Sequence, residues 1–371
     1  MSADPRRAEL DARVLAWMRE PLASWRADDA RFGALALELF GVQFAHCAPY
    51  RRFCERRART PDSVATWREI PAVPAGAFKE MALRSFPAER ERHVFRTSGT
   101  SAERRGELHL DTLELYEASL LPSFRRGVLP DLPEGSRARI RVLAPSPEEA
   151  PDSSLSHMFG VVLRDVGDAA SGFDVRGGAL QVDAVVAALE KAATDGVALA
   201  LCGTAFAFVH LLDVLAGRGE RFALPAGSRA METGGFKGRA REMPREALYL
   251  GIEQALGVAP ERVVNQYGMT ELASNFYDSV LCEASRPRRK LGPPWARVRL
   301  VDPTTGEDAA EGEVGMIVIV DLANTGSVLA LETADLGRRI GDGFEVLGRA
   351  AGAEARGCSI AADEMLAREG A

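Results

Sequence analysis

The order of apolar and polar positions along this chain changes period repeatedly, and the changes mark its elements. Residues 139–144 have the apolar character of a strand, 145–151 carry the prolines and acidic residues of a turn, and 153–163 follow as a helix or buried apolar segment. Residues 182–194 repeat at helical spacing. A short apolar strand at 197–202 leads through Gly203 into a helix predicted over 205–215, and 262–265 read as a buried strand before a tight turn. Strands and helices alternate instead of running in separate blocks, which predicts an α/β fold with layers of helix covering a buried sheet. In such folds ligands collect where strands end.

The pattern changes near Arg286. Residues 297–301, 314–321 and 327–331 look like short strands separated by turns, of which 303–306 is the clearest. The predicted organisation is an α/β core over 1–285, a β-rich subdomain of the same unit over 286–348, and a short C-terminal tail over 349–371. There is no internal repeat and no low-complexity linker.

Composition narrows the classes. With 371 residues, 46% of them hydrophobic and 27% charged, the chain can bury a substantial core. Residues 1–14 are charged and lack the apolar run of a secretory signal, and no stretch of about 18 apolar residues marks a membrane span, so a cytoplasmic protein is expected. A net charge of -7 argues against nucleic acid held on a broad basic surface, and the Arg286 to Arg289 cluster reads as solvated surface. Cys47, Cys54, Cys202, Cys282 and Cys358 have no paired metal-ligand spacing, which predicts reduced thiols.

Three strings carry chemistry. The first is Thr97-Ser98-Gly99-Thr100-Ser101, where hydroxyls around a glycine let the backbone approach phosphate oxygens, with Arg96, Arg104 or Arg105 as added charge. A hydroxyl-rich surface turn has the same composition, and the run lacks the P-loop pattern. In the second, Asn265-Gln266-Tyr267-Gly268-Met269-Thr270-Glu271, Tyr267 can face a purine, Thr270 can donate to a phosphate, and Glu271 can hold Mg²⁺ through a hard carboxylate oxygen. The bland alternative makes Tyr267 a packing residue and Glu271 a helix N-terminal charge. The third is Thr333-Ala334-Asp335-Leu336-Gly337, then Gly341-Asp342-Gly343-Phe344 and Leu347-Gly348-Arg349. An Asp beside a glycine turn can accept both hydroxyls of a ribose, and Asp-Gly-Phe alone is a common hairpin turn.

In this order the strings resemble the ordered motifs of the acyl-adenylate-forming superfamily. Within it the chain is similar to the acyl-protein synthetases of bacterial luciferase-associated fatty acid reductases. Phe78-Lys79, Ser153-Ser154-Leu155-Ser156-His157-Met158, Thr233-Gly234-Gly235-Phe236-Lys237 and Arg356-Gly357-Cys358 carry that likeness, which spans residues 50–358. The resemblance implies an adenylate-forming large domain with a truncated C-terminal region, and an enzyme that uses ATP and Mg²⁺ to turn a carboxylic acid, of the fatty class, into acyl-AMP. It implies that Thr97, Ser98, Gly99, Thr100 and Ser101 lie over the phosphates and that Gly234 and Gly235 lie near adenine. Tyr267 and Gly268 would then meet the base, Asp335 the ribose, and Arg349 the nucleotide, with Thr270 and Glu271 at the α-phosphate and Mg²⁺. His157 and Met158 would line the acid pocket.

Two departures accompany the likeness. Ser101 stands where a threonine is common, and the lysine usual after it is absent. Larger acyl-CoA ligases of the superfamily also continue into a domain carrying a catalytic lysine, whereas no lysine here follows Lys290. Lys79 and Lys237 are the candidate substitutes. Cys358 stands where the family precedent is an acylated cysteine that passes its acyl group to an acyl-CoA reductase-like partner. The alternatives are a compact acyl-CoA or thioester ligase and a non-catalytic scaffold subunit that keeps the fold.

Overall fold

Short apolar runs closed by glycine or a polar residue become the strands at the centre of one unit. Arg139–Pro145, Leu199–Thr204, Arg229–Thr233 and Val263–Tyr267 are parallel neighbours. Successive neighbours in the sheet are Phe276–Asp278, Val263–Tyr267, Arg229–Thr233, Leu199–Thr204, Arg139–Pro145, Gly172–Arg176 and Ala179–Leu180; Phe276–Asp278 and Ala179–Leu180 each pair antiparallel with the strand beside them in this order. Strands buried on both faces need apolar residues at successive positions, and Leu199 to Gly203 are all buried. Gly203 admits the neighbouring strand: a Cβ there would lie 2.6 Å from the Leu143 Cβ.

These assignments come from a computed structural model that describes residues 4–98, 104–234 and 243–350. The chain divides into two units. The one just described draws on Ser123–Gly268 and Phe276–Lys290; the other draws on Met1–Pro122, Met269–Asn275 and the stretch from Leu291. Among the described residues no helix is long and apolar enough to cross a membrane.

Helices Val182–Asp195, Ala205–Arg218 and Arg245–Leu256 share a core with the strands of their unit, including Val185, Leu189, Phe208, Leu211 and Ile252, each of them 0% exposed. Burying an aliphatic or aromatic side chain of this size is worth roughly 1.5–3 kcal/mol, so this face dominates the unit's stability. The ends of the helices are set locally. The Thr204 hydroxyl accepts from the Ala207 N–H at 3.1 Å, capping one helix, while Gly196 and Gly219 close two of them at φ of 65° and 67°.

In the other unit, Ala296–Val301, Val314–Asp321, Ala330–Ile340 and Gly343–Arg349 form an antiparallel meander, and Val73–Pro74 runs parallel to Ala330–Ile340. A separate hairpin pairs His93–Arg96 with Glu107–Leu110. The helices Pro5–Met18, Asp29–His46 and Ala48–Arg56 belong here too, and Phe32 meets Trp67 edge-on at 5.3 Å. Buried Gln43 reaches from its helix into the loop before Ala330: its Nε2 donates to the Asn324 carbonyl at 2.9 Å, and its Oε1 accepts from the Leu329 N–H at 2.8 Å.

The predicted strands and helices have counterparts close to the expected positions, with two corrections. The strand expected at 327–331 starts at Ala330 and runs to Ile340, so Asp335 to Gly337 lie inside a strand and not at a turn. Gly337 suits that position because a Cβ there would lie 2.7 Å from the Glu345 carbonyl oxygen. The turn itself falls at Gly341-Asp342, between paired Ile340 and Gly343. The second correction concerns Arg286 to Arg289. Arg286 is exposed, but Arg289 is buried against Glu283, and Arg288 donates to Asp278 at 2.7 Å and to the carbonyls of Val263 and Pro260. Buried acceptors recruit these guanidinium groups, and a linear charge count does not reveal them.

Candidate active site

The hydroxyl-glycine string leaves the His93–Arg96 strand at Thr97 and returns at Gly106. Its two ends are clasped: the Thr97 N–H donates to the Gly106 carbonyl at 2.9 Å, and the Gly106 N–H donates to the Thr97 hydroxyl at 2.8 Å. Arg105 turns back on the clasp, donating to the Thr97 carbonyl at 2.6 Å and the Arg96 carbonyl at 3.3 Å, while Arg104 meets Glu80 at 3.3 Å. Thr97 is half-buried and Ser98 exposed; Gly99, Thr100 and Ser101 lie outside the described residues.

Gly106 marks the meeting point of three strings. A Cβ at this position would lie 3.1 Å from Thr97 Cγ2, 3.5 Å from Glu271 Oε1 and 3.6 Å from Phe78 Cβ. The carboxylate from the second motif therefore stands beside the base of the hydroxyl loop, with the Phe78-Lys79 string behind them. Lys79 sits half-buried on the short helix Ala77–Glu80.

Glu271 is buried in a turn and not at a helix N-terminus, and its segment is held from outside the motif. The Asn324 amide donates to the Glu271 carbonyl at 3.0 Å. Asp321, at the end of Val314–Asp321, accepts from the Ala273 N–H at 3.0 Å and the Ser274 hydroxyl at 2.7 Å. Burial pushes the Asp321 carboxyl up to about 6 against the pull of these donors. Asp321 and Asn324 were not candidates on sequence; the signal available was Asp321 directly after the apolar run Ile317 to Val320, with Asn324 three positions further on.

In the same unit, Asp335 and Arg349 are cross-strand partners, with the Arg349 Nε 3.9 Å from the Asp335 carboxylate. The hairpin thus brings together the residues expected at the ribose and nucleotide. The Thr333 hydroxyl donates to the Ile317 carbonyl at 2.8 Å and accepts from the Asp335 N–H at 3.1 Å, which holds the strand beside Asp335.

Gly234 and Tyr267 belong to the other unit, at the carboxyl ends of the adjacent parallel strands Arg229–Thr233 and Val263–Tyr267. Thr233 pairs with Gln266 in register, and its hydroxyl bonds both the carbonyl and the amide oxygen of Gln266. Gly234 leaves the sheet at φ 80°, a conformation that side chains with a Cβ rarely adopt. Tyr267 is half-buried, its ring 6.3 Å from that of Phe276, and Gly268 follows it half-buried. His157 and Met158 lie on helix Ser154–Val166, but only His157 is partly exposed; Met158 is buried, its sulfur accepting from the Tyr277 hydroxyl at 3.6 Å. Gly235, Lys237 and Cys358 lie outside the described residues.

Mg²⁺ places its own demand on the donors. Among the described residues no three His, Cys, Asp or Glu side chains cluster as a metal cage. A single buried carboxylate beside a hydroxyl loop fits a Mg²⁺ carried on substrate phosphates, since this ion commonly takes one or two protein carboxylates and fills its other positions with phosphate and water. Cys47, Cys54, Cys202 and Cys282 are free thiols, and burial pushes Cys202 up to about 12, far from a thiolate at neutral pH.

Comparison with known proteins adds to this geometry. The sequence model of the family described as Acyl-protein synthetase, LuxE matches residues 7–367. The long-chain-fatty-acid–luciferin-component ligase of Aliivibrio fischeri is 22% identical over 314 residues, which cover 82% of this chain and 78% of that protein. Among solved structures, an open conformation of 2-hydroxyisobutyryl-CoA ligase in complex with 2-HIB-AMP and CoA gives a TM-score of 0.61 at 15% identity, covering 89% of this chain and 74% of that one. The same ligase in its postadenylation state with R3-HIB-AMP also gives 0.61 at 15%, covering 89% and 72%. At that identity the likeness establishes the adenylate-forming ligase fold.

Proposed function

This chain belongs to the LuxE acyl-protein synthetase family, and from that premise we propose that it activates a fatty acid with ATP and passes the acyl group through Cys358 to an acyl-CoA reductase-like partner. The chain is an acid-thiol ligase, a class that adenylates a carboxylate and then forms a thioester. The observation that carries the reading is the junction at Gly106, where Thr97 and Glu271, from strings far apart in sequence, stand beside one another.

In the first step a carboxylate oxygen attacks the α-phosphorus of ATP. A bond forms between that carboxylate oxygen and the α-phosphorus, the bond from the α-phosphorus to the oxygen bridging to the β-phosphate breaks, and pyrophosphate leaves. No protein nucleophile is required; the demand is for positioning and for stabilising charge on phosphate. The clasped loop from Thr97 to Gly106 supplies N–H and hydroxyl donors for this, Thr270 adds one at the α-phosphate, and Glu271 would hold Mg²⁺, which offsets phosphate charge. Gly234 and Gly235 leave room for the base, Tyr267 covers it, and Asp335 accepts the ribose hydroxyls, with Arg349 directing its charge across the hairpin. Lys79 and Lys237 are the cations proposed for the acid-to-phosphate contact. Because Arg105 is engaged with loop carbonyls, its role is in the clasp. His157 lines the acid, while buried Met158 backs that wall.

In the second step the Cys358 thiolate adds to the acyl carbonyl, AMP departs, and a thioester remains for the partner. The Aliivibrio fischeri relative is named for long-chain fatty acids, and we carry that substrate class to this chain.

The test is carboxylate-dependent exchange of pyrophosphate into ATP over a panel of fatty and aromatic acids. Exchange is expected with fatty acids in the wild type, lost in Glu271→Ala and kept in Cys358→Ser, which instead fails to retain radiolabelled acyl group. Absence of exchange with every acid in folded protein would overturn adenylation. Acceptor-dependent turnover untouched by Cys358→Ser would replace the acyl carrier step with a free-thiol ligase.

A further inference from the structure

Beneath Gly234 and Tyr267 lies a buried polar network that the reaction above does not use. Lys290 is 2% exposed, and its Nζ donates to the Asn265 carbonyl at 2.7 Å, to the Asn265 side-chain oxygen, and to Asp278 Oδ1 at 2.7 Å. The other carboxylate oxygen of Asp278 accepts from the Asn265 N–H at 3.0 Å and from Arg288 at 2.7 Å. With its oxygen committed to Lys290, the Asn265 amide directs its Nδ2 to Glu232 Oε1 at 2.7 Å, an oxygen that also accepts from the Tyr249 hydroxyl at 3.0 Å. Glu232 and Asn265 are register partners on adjacent strands, and each stands two residues before the part of its strand expected to meet the base, Gly234 and Tyr267.

Placing an ammonium in a fully buried position is costly, and apolar residues of similar volume often stabilise a fold as well or better, so stability alone does not explain this lysine. What the network does provide is direction. An ammonium with three donors fixes which end of the Asn265 amide faces which strand, and so fixes the register of three strands, Phe276–Asp278, Val263–Tyr267 and Arg229–Thr233, at the edge that carries Gly234 and Tyr267. Its members all belong to one unit.

We infer that Lys290, acting through Asn265 and Glu232, is a positioning residue for the base-binding end of the nucleotide site. The inference rests on the proposed ATP reading. Lys290 touches neither the phosphates nor the acid. Its loss therefore weakens recognition of the adenosine portion and leaves recognition of the phosphate chain intact, a separation that general loosening of the fold would not produce.

The experiment compares the full-length wild type with Lys290→Met/Asp278→Asn, which removes both charges together so that none is stranded, and with the milder Tyr249→Phe. Calorimetric titrations measure ATP and, separately, inorganic tripolyphosphate, each with Mg²⁺, after circular dichroism and thermal melting have confirmed folding. The expected result is an ATP Kd raised about tenfold in the double variant and two- to threefold in Tyr249→Phe, with the tripolyphosphate Kd within twofold of wild type. A folded double variant with unchanged ATP affinity overturns the positioning role. Equal weakening for both ligands also overturns it, by making the network a general structural support; should the double variant not fold, Tyr249→Phe decides by the same criterion. A wild type that binds tripolyphosphate but not ATP would instead sink the ATP reading, and this inference with it.

Discussion

Two carboxylates separated by a short hydrogen-bonded segment behave differently because of what surrounds each. Glu271 is presented beside Thr97 and Gly106, where we propose that it holds Mg²⁺, so Glu271→Gln is expected to reduce pyrophosphate exchange by roughly 10²–10³-fold while leaving the melting temperature within a few degrees. Unfolding of that variant would move Glu271 from chemistry to structure. Asp321 is fully buried, and its carboxyl is raised from 3.8 to about 6. Between those values the folded state keeps a proton that the unfolded state has released, so the stability contributed by this group is complete below about pH 4 and is lost as pH rises through 6. Relative to Asp321→Asn, wild type should therefore lose about 2 kcal/mol between pH 4.5 and pH 7 in urea titrations. A difference that stays flat across that interval would show that Asp321 is not raised. Arg349 is a contrasting case: its pairing with Asp335 is long and largely solvated, so Arg349→Ala should change stability by less than about 1 kcal/mol. Weaker ATP binding in that variant would then report a ligand contact.

At the scale of elements, two glycines allow opposite predictions. Gly203 lies where strand Leu199–Thr204 passes Arg139–Pro145, and a Cβ there would stand 2.6 Å from the Leu143 Cβ and 3.0 Å from its carbonyl oxygen. Gly203→Ala must push the strands apart at the edge that leads to Thr204, and about 1–3 kcal/mol of destabilisation is expected in denaturant titrations. Gly217, inside helix Ala205–Arg218, has nothing within 4 Å of the added Cβ, so Gly217→Ala should stabilise by roughly 0.5–1 kcal/mol. If both substitutions moved stability in the same direction, the packing assigned to this strand–helix pair would be wrong. The same elements show how far local pattern reaches. Residues 182–194 and 205–215 carry helix periodicity and end at glycines, and both became helices with left-handed glycine stops. The strand Ala330–Ile340 did not announce its second half, because Thr333, Asp335, Arg338 and Arg339 break the apolar run. Pairing on both sides, with Val314–Asp321 and Gly343–Arg349, supplies the backbone bonds that composition alone would not have demanded.

For the whole molecule, ligand linkage provides the broadest check. A ligand bound only by the folded protein stabilises it by about 2.7 kcal/mol at a hundredfold excess over Kd, so MgATP at saturation should raise the melting temperature by several degrees. Glu271→Gln should lose most of that rise, while Cys358→Ser should keep it. A melting temperature indifferent to MgATP would favour a fold-retaining scaffold over an enzyme.

The sequence by itself determined the α/β class, the family and the order of the chemical strings, because periodicity, turn residues and short motifs are local properties written in consecutive letters. It also carried Thr97, Tyr267, Glu271 and Asp335 as site candidates, since each stands in a string whose chemistry is recognisable without neighbours. Tertiary structure alone decided that Gly106 closes the loop against Glu271, that Asp321 and Asn324 hold the Glu271 segment, and that Arg105 serves the clasp. It alone decided that Lys290, the residue that follows the Arg286 to Arg289 cluster, is buried with its ammonium on Asn265 and Asp278. The physical reason is common to all of these: burial and hydrogen-bond partnership join residues from 8 to more than 150 positions apart, and no local pattern encodes which distant acceptor a buried donor will meet.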